Sequence, residues 1–299
     1  MTVDDGDLVA LAAAFGWACT GLAARAASRQ IPAAWYNALR IVVAAAALLL
    51  ALPWTLGRAT LDGVGVAQLA LLIGSVIVGF GIGDTAFFES MRRLGVARAM
   101  PIAGCHPLIT GIMAVLLLGE PLTRGLLVGV CIVGVGVWLV TTDGAGSGHA
   151  QPVSRRERRV GVALALTAAV GWSCAAVMVG PALATVDPIL ASTLRMPFAA
   201  VLMVLVASRA GMLDSRRLEL TRPVVLGVVF GGLVTVVSAT LFLWSVALIG
   251  AARTAAITSS SPFFAAPIAV ALFGERVSAR LVLGMATTVA GVVTIVLGA

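Results

Sequence analysis

Charge is what this sequence lacks. Of 299 residues only 20 are basic and 13 acidic, together 11% of the chain, where soluble globular proteins carry about 25%. Lysine is absent, every basic residue being arginine, and there is a single tyrosine. So little charge cannot furnish a water-facing surface for a fold of this length, which excludes a soluble enzyme, a nucleic-acid-binding protein and a disordered chain. Material for metal or redox chemistry is equally scarce. Cys19, Cys105, Cys131 and Cys174 lie singly inside apolar runs, without the short paired spacings of zinc or dithiol sites, and the two histidines are His106 and His149. No metal site and no cofactor is expected. A nucleotide-binding P-loop is also missing, so ATP is not the direct energy source within this chain. The opening MTVDDGD is acidic where a signal peptide begins basic, so the first hydrophobic run is expected to be retained.

What the chain has is apolar length: 60% of its residues are hydrophobic and the mean hydropathy is +1.08. A helix crossing roughly 30 Å of hydrocarbon takes about 20 apolar residues. Charges and Gly/Pro clusters divide the sequence into ten such spans: Leu8 to Ala24, Ala34 to Leu52, Val66 to Phe88, Ala99 to Leu118, Gly125 to Thr141, Gly161 to Gly180, Pro188 to Ala207, Pro223 to Leu248, Ala252 to Phe273 and Ala279 to Leu297. Continuous runs of this length favour helices over the shorter alternating strands of a barrel. The expected class is an all-α membrane protein.

One long polar segment, Thr142 to Arg159, separates two halves, 1–142 and 160–299, with 143–159 as linker. A constant shift of 155 residues lays Gly16 and Trp17 on Gly171 and Trp172, Leu39 and Arg40 on Leu194 and Arg195, Pro107 on Pro262, and Gly119 and Glu120 on Gly274 and Glu275. Shared Trp, Arg, Pro and Glu at one offset mark a duplication. Five spans per half is odd, so the second half enters the membrane in the opposite orientation: ten transmembrane helices form two inverted five-helix repeats. Arginine counts orient them, because short arginine-rich loops stay cytoplasmic. Loops after the odd spans hold fifteen arginines, against Arg58, Arg124 and Arg253 on the other side. The 143–159 linker is therefore expected in the cytoplasm and both termini outside.

Two stretches, GVARAMPIAGCHPLITGIMAVLLLGEPLT from Gly95 to Thr123 and GAARTAAITSSSPFFAAPIAVALFGERVS from Gly250 to Ser278, share small residues with Ala or Ser opening the span, a mid-span Pro, then Gly-Glu and a terminal Thr or Ser. With the Gly-Trp of each first span, the chain resembles two tandem copies of the EamA-type domain of the drug/metabolite transporter superfamily. The resemblance implies a ten-helix carrier moving metabolites or drugs, often outward, by alternating access. Some relatives place their termini in the cytoplasm; the arginine count here favours outside.

Ionisable residues inside hydrocarbon cost a few kcal/mol or more each and tend to face a cavity or a partner. Arg40, Asp84 and His106 each fall roughly 9 to 12 Å from the cytoplasmic face at 1.5 Å per residue, so a shared site is expected, with Asp84 paired to Arg40 and His106 close by. The alternative is an ion pair that only fixes packing. Arg195 repeats Arg40, but Ala239 and Ser261 stand where Asp84 and His106 would be. A guanidinium without a carboxylate calls for an anionic or zwitterionic substrate, with Ser192 nearby, or else snorkels to the interface. Asp84 and His106 are also the candidates for proton coupling. Trp17, Tyr36, Asn37, Trp172, Trp244 and Ser260 complete the candidate cavity residues. Pro107 and Pro262, mid-span, are expected to bend their helices as hinges. Glu120 and Glu275 are expected to hold hairpins by bonding amides at the start of the next helix. Glu89 has the spacing of a surface ion pair with Arg92 and Arg93.

The expected function is a secondary active transporter, an exporter of small metabolites or drugs in the cell inner membrane, with an anionic or zwitterionic substrate such as an amino acid. Its partners are that substrate, the lipid bilayer and protons, as a monomer or homodimer and without nucleic acid. The alternative is a lipid flippase or a non-transporting membrane partner subunit.

Overall fold

The computed structural model describes residues 4–27, 30–31, 33–56, 63–94, 99, 102–142, 155–209, 221–273 and 278–298, and among these the regular structure is helical without a strand. In the first half, α1 (Asp5–Ala27) and α2 (Ala33–Leu56) precede α3 (Val66–Val76), which runs through a π-helical stretch, Ile77–Asp84, into α4 (Thr85–Leu94). Next, α5 (His106–Met113) widens into a second π-helical stretch, Ala114–Leu118, and α6 (Arg124–Thr142) follows. The second half holds α7 (Arg155–Leu183), α8 (Pro188–Arg209), α9 (Arg222–Ile249), α10 (Ala251–Thr258), α11 (Ser261–Phe273) and α12 (Ala279–Leu297).

Among the described residues seven helices are long and apolar enough to cross a membrane, and His106–Leu118 and Arg124–Leu139 are shorter apolar helices. Leu50, Val66, Leu116, Leu205, Leu226 and Leu272 stand exposed around the bundle. An apolar exterior of this kind suits hydrocarbon rather than water.

Three boundaries differ from the sequence expectation. The third span is longer, its helix continuing to Leu94. Residues 155–159 of the expected linker are the first turn and more of α7, because an arginine-rich run has good helix propensity and joins the apolar helix without a break. Most sharply, the expected bends at Pro107 and Pro262 are interruptions. Pro107 is the second residue of α5 and Pro262 the second of α11, where a missing backbone N–H is no loss. The preceding turns match at the 155-residue offset: Leu108 N donates to Cys105 O at 3.1 Å and Phe263 N to Ser260 O at 2.8 Å.

Packing follows the duplication. α1 lies on α9 and α7 on α3–α4; α2 lies on α8 and α6 on α12. Exchanging the halves maps these pairs onto one another. The α6–α12 seam is built on glycine: a Cβ at Gly129 would stand 2.8 Å from the Gly291 carbonyl oxygen and collide with Ile295. Removing side chains there lets two backbones approach closely, the usual route to helix association where lipid supplies no hydrophobic drive.

Candidate functional site: a cavity with one satisfied and one unsatisfied arginine

Between the two halves lies a cavity of about 480 Å³, lined from α1, α2, the first π-helical stretch and α4 to α11. The π-helical stretch has a local cause: three glycines, Gly79, Gly81 and Gly83, and the widened turns set Phe80 and Asp84 on the cavity wall. Trp17 and Trp172, equivalent in the repeat, both line it.

Arg40 has partners on two of its nitrogens. Its Nε donates to Asn37 Oδ1 at 2.7 Å and its Nη1 to Thr235 Oγ1 at 2.9 Å. Asn37 in turn donates through Nδ2 to Asp84 Oδ2 at 3.3 Å, with Met203 Sδ at 3.1 Å. The other Asp84 oxygen accepts from Trp172 Nε1 at 2.8 Å. The expected direct Arg40–Asp84 ion pair is thus not what the structure shows: among the described residues Asn37 stands between them, one helical turn before Arg40, joining the two charges through its amide. An amide can donate on one side and accept on the other, which a second charge cannot do.

Arg195 is its opposite. It is buried, it lines the same cavity, and its Nε has no hydrogen-bond partner among the described residues. Its guanidinium carbon lies 5.9 Å from the centre of the Phe80 ring. The repeat explains the difference. Asn37, Thr235 and Asp84, the shell around Arg40, have as equivalents Ser192, Phe80 and Ala239. Ser192 is fully buried, takes a hydrogen bond from Thr240 Oγ1 at 3.1 Å and lies off the cavity wall. Phe80 offers a ring and Ala239 a methyl. Of the two groups that accept from Arg40, one is replaced by a ring and the other by a serine turned to Thr240, and the carboxylate beyond them is replaced by a methyl. A buried donor left unbonded costs about 1–3 kcal/mol, and among the described residues Arg195 Nε is such a donor.

The remaining candidates divide. Tyr36 lines the cavity, its hydroxyl 3.5 Å from Gly227 O. His106 also lines it, its ring edge-on to Trp172 at 5.9 Å, with no ion pair among the described residues. Ser260 spends its hydroxyl on the Ile257 carbonyl at 2.6 Å and is not on the wall, whereas its neighbours Ser259 and Ser261 are. Trp244 stands 45% exposed on the outside of α9, away from the cavity. Glu89 bonds Arg93 at 2.7 Å, as an i,i+4 surface pair.

Glu120 acts on a different helix from the one expected. Its carboxylate accepts from Ala251 N at 2.7 Å and Ala252 N at 3.1 Å, capping α10 in the other half. The next helix in its own half is capped by Thr123, which accepts from Leu126 N at 3.1 Å. Ser278 does the same for Leu281 at 3.0 Å. Glu275 lies outside the described residues.

Sequence reasoning missed Thr235, Phe80 and Met203 around the arginines. It also missed a buried ion pair off the cavity wall, in which Arg253 Nη2 donates to Asp7 Oδ2 at 2.7 Å.

Similarity to known proteins follows the same two halves. The model of the EamA-like transporter family matches residues 5–142 and again 159–297. An uncharacterized transporter of Archaeoglobus fulgidus is 26% identical over 294 residues, covering 97% of each chain. A protein of known crystal structure superposes with a TM-score of 0.79 at 20% identity, over 99% of this chain and 98% of that one, a likeness of fold.

Proposed function

The chain belongs to the EamA-like transporter family, and from that premise we propose that it is a secondary carrier exporting a small metabolite across the cell inner membrane by alternating access. Residues 1–142 and 160–299 act as two inverted five-helix repeats forming ten membrane segments, α10 and α11 making one of them. The symmetric helix pairing supports this, and the fifteen-to-three arginine asymmetry supports a cytoplasmic 143–159 linker with both termini outside. The cavity between the repeats is the substrate site. Asp84 and His106 are the groups on its wall that would carry protons if transport is coupled to them.

One observation carries the reading: Arg195 is buried on the wall of an otherwise mostly apolar cavity with no acceptor for its Nε. A carrier site that desolvates a guanidinium without satisfying it is arranged for an anionic or zwitterionic ligand. Purified protein in liposomes loaded with a mixture of organic acids and amino acids should take up labelled members by counterflow. Arg195→Gln should reach the membrane, remain monodisperse and lose apparent affinity. Normal affinity in that variant, or no flux of any solute, would refute the assignment.

A further inference from the structure

Resting on the carrier reading above, we infer that the cargo is a net monoanion, one anionic group on an apolar body, rather than a zwitterion. With His106 neutral, the formal charges on the cavity wall are those of Arg40, Asp84 and Arg195. The first two cancel in formal charge and are joined through Asn37, which accepts from Arg40 Nε and donates to Asp84 Oδ2. One positive charge remains, on Arg195. A single carboxylate or phosphate-type oxyanion there balances the cavity and supplies the missing acceptor. A zwitterion brings an ammonium as well, and the charge of Asp84, the one carboxylate on the wall, is already balanced by Arg40 through Asn37. An uncompensated ammonium in an apolar cavity is expensive. The rest of the wall, including Phe80, Phe87, Met196 and Phe242, suits an apolar body.

A matched series separates the charge classes: hexanoate, norleucine and hexylamine share a six-carbon body and carry net charges of −1, 0 and +1. Trp17 and Trp172 on the wall report occupancy by fluorescence in nanodiscs. Hexanoate should give a saturable response at least about tenfold tighter than norleucine, the scale of one hydrogen bond to a charged group, and hexylamine none. Arg195→Gln should lose the hexanoate response, and Arg195→Lys should keep the order of preference. Norleucine or hexylamine binding as tightly as hexanoate, or hexanoate binding unchanged in Arg195→Gln, overturns the monoanion but leaves the carrier. No response to any of the three overturns the monoanion, and if counterflow fails as well the carrier reading falls with it.

At the opposite end of the bundle, an independent set of charges bears on which face is open. Arg253, in the first turn of α10, donates to fully buried Asp7 of α1 at 2.7 Å, lies 3.5 Å from Asp4 and reaches Val296 O near the end of α12 at 3.3 Å. Glu120 grips the same turn of α10. Helices from both halves are therefore tied together where the chain termini lie, whereas the cavity wall includes Ala24, Tyr36 and Asn37, from helix ends on the linker side. At the 155-residue offset Arg253 becomes Arg98, but Asp7 becomes Val162 and Asp4 becomes Arg159. In sequence the two acids of the pair are thus replaced by a valine and an arginine. We propose that this asymmetry is a latch that sets the resting state, holding the terminus side shut and leaving the linker side open.

The latch is read by labelling. Gly21 lines the cavity, and a Cβ there meets nothing within 4 Å, so Gly21→Cys in an otherwise cysteine-free protein is a benign reporter. A membrane-impermeant maleimide should modify it rapidly from the linker face and slowly from the terminus face. Asp7→Asn should slow the first rate and raise the second severalfold, Arg253→Gln should do the same, and the double variant should go no further than either single one. Unchanged rates in both single variants, additive effects, or rapid labelling from both faces at once would overturn the latch.

Discussion

Replacing Glu120 tests whether a carboxylate in one repeat holds a helix of the other. Both oxygens accept backbone amides at the start of α10, at 2.7 and 3.1 Å. Hydrogen bonds to charged groups contribute about 1.5–3 kcal/mol each, but two bonds sharing one carboxylate are not independent. The removal of an N-terminal cap costs about 0.5–2 kcal/mol on its own, and the lost interaction with the helix dipole adds up to about 2 kcal/mol in a partly buried setting. Glu120→Ala should therefore cost about 3 kcal/mol, and Glu120→Gln, which keeps one acceptor but no charge, about half of that. In thermal unfolding in detergent, about 3 kcal/mol corresponds to a drop on the order of 5–10 °C. Amide hydrogen exchange locates the effect. Protection should fall at Ala251 and Ala252 while Leu126, held by Thr123, stays protected. Loss of protection at 124–126 instead would mean that Glu120 holds its own hairpin after all. A melting temperature within about 1 °C of wild type for Glu120→Ala would refute the cap outright.

Five further substitutions follow from particular contacts. Thr235→Val removes the 2.9 Å acceptor of Arg40 and should lower stability by about 1–3 kcal/mol in the same unfolding assay. Phe80→Thr would give Arg195 the residue that Arg40 has, and should weaken the tryptophan response to hexanoate by satisfying the guanidinium from within; an unchanged or stronger response would contradict the shell comparison. Gly129→Leu should block α6–α12 packing and yield aggregated protein on size-exclusion chromatography. Gly134→Leu, where a Cβ meets nothing within 4 Å, should elute normally. Ser192→Ala should leave ligand affinity unchanged, since that hydroxyl is spent on Thr240 off the cavity wall.

Much of the architecture is legible in the sequence because hydrocarbon imposes a length, and a duplication repeats rare residues at a fixed spacing. Arg40, Asp84 and Arg195 stand out for the same reason: charge inside an apolar helix is conspicuous. Their partners are not. Thr235 also bonds its own Gly231 carbonyl at 2.6 Å, as Thr258 bonds Thr254 at 2.7 Å, so in sequence nothing distinguishes the threonine that meets an arginine from one that only caps a turn. Glu120 misleads for a related reason. A Glu at a tight hairpin suggests the nearest free amides, yet those it binds are 131 residues away, brought close by the packing of one repeat on the other. Pro107 and Pro262 read as kinks because sequence shows a proline within an apolar run but not the turn before it. The signal that would have found the site lies in comparing the halves for what they do not share. Conservation of Arg at 40 and 195 marks the scaffold; the replacement of Asn37, Thr235 and Asp84 by Ser192, Phe80 and Ala239 marks the place where one arginine was released from structural duty. Similarly, Asp4 and Asp7 against Arg159 and Val162 mark where the two ends of the bundle stop being equivalent. In a duplicated carrier the symmetric residues build the bundle, and substrate choice and resting state are written in the pairs that differ.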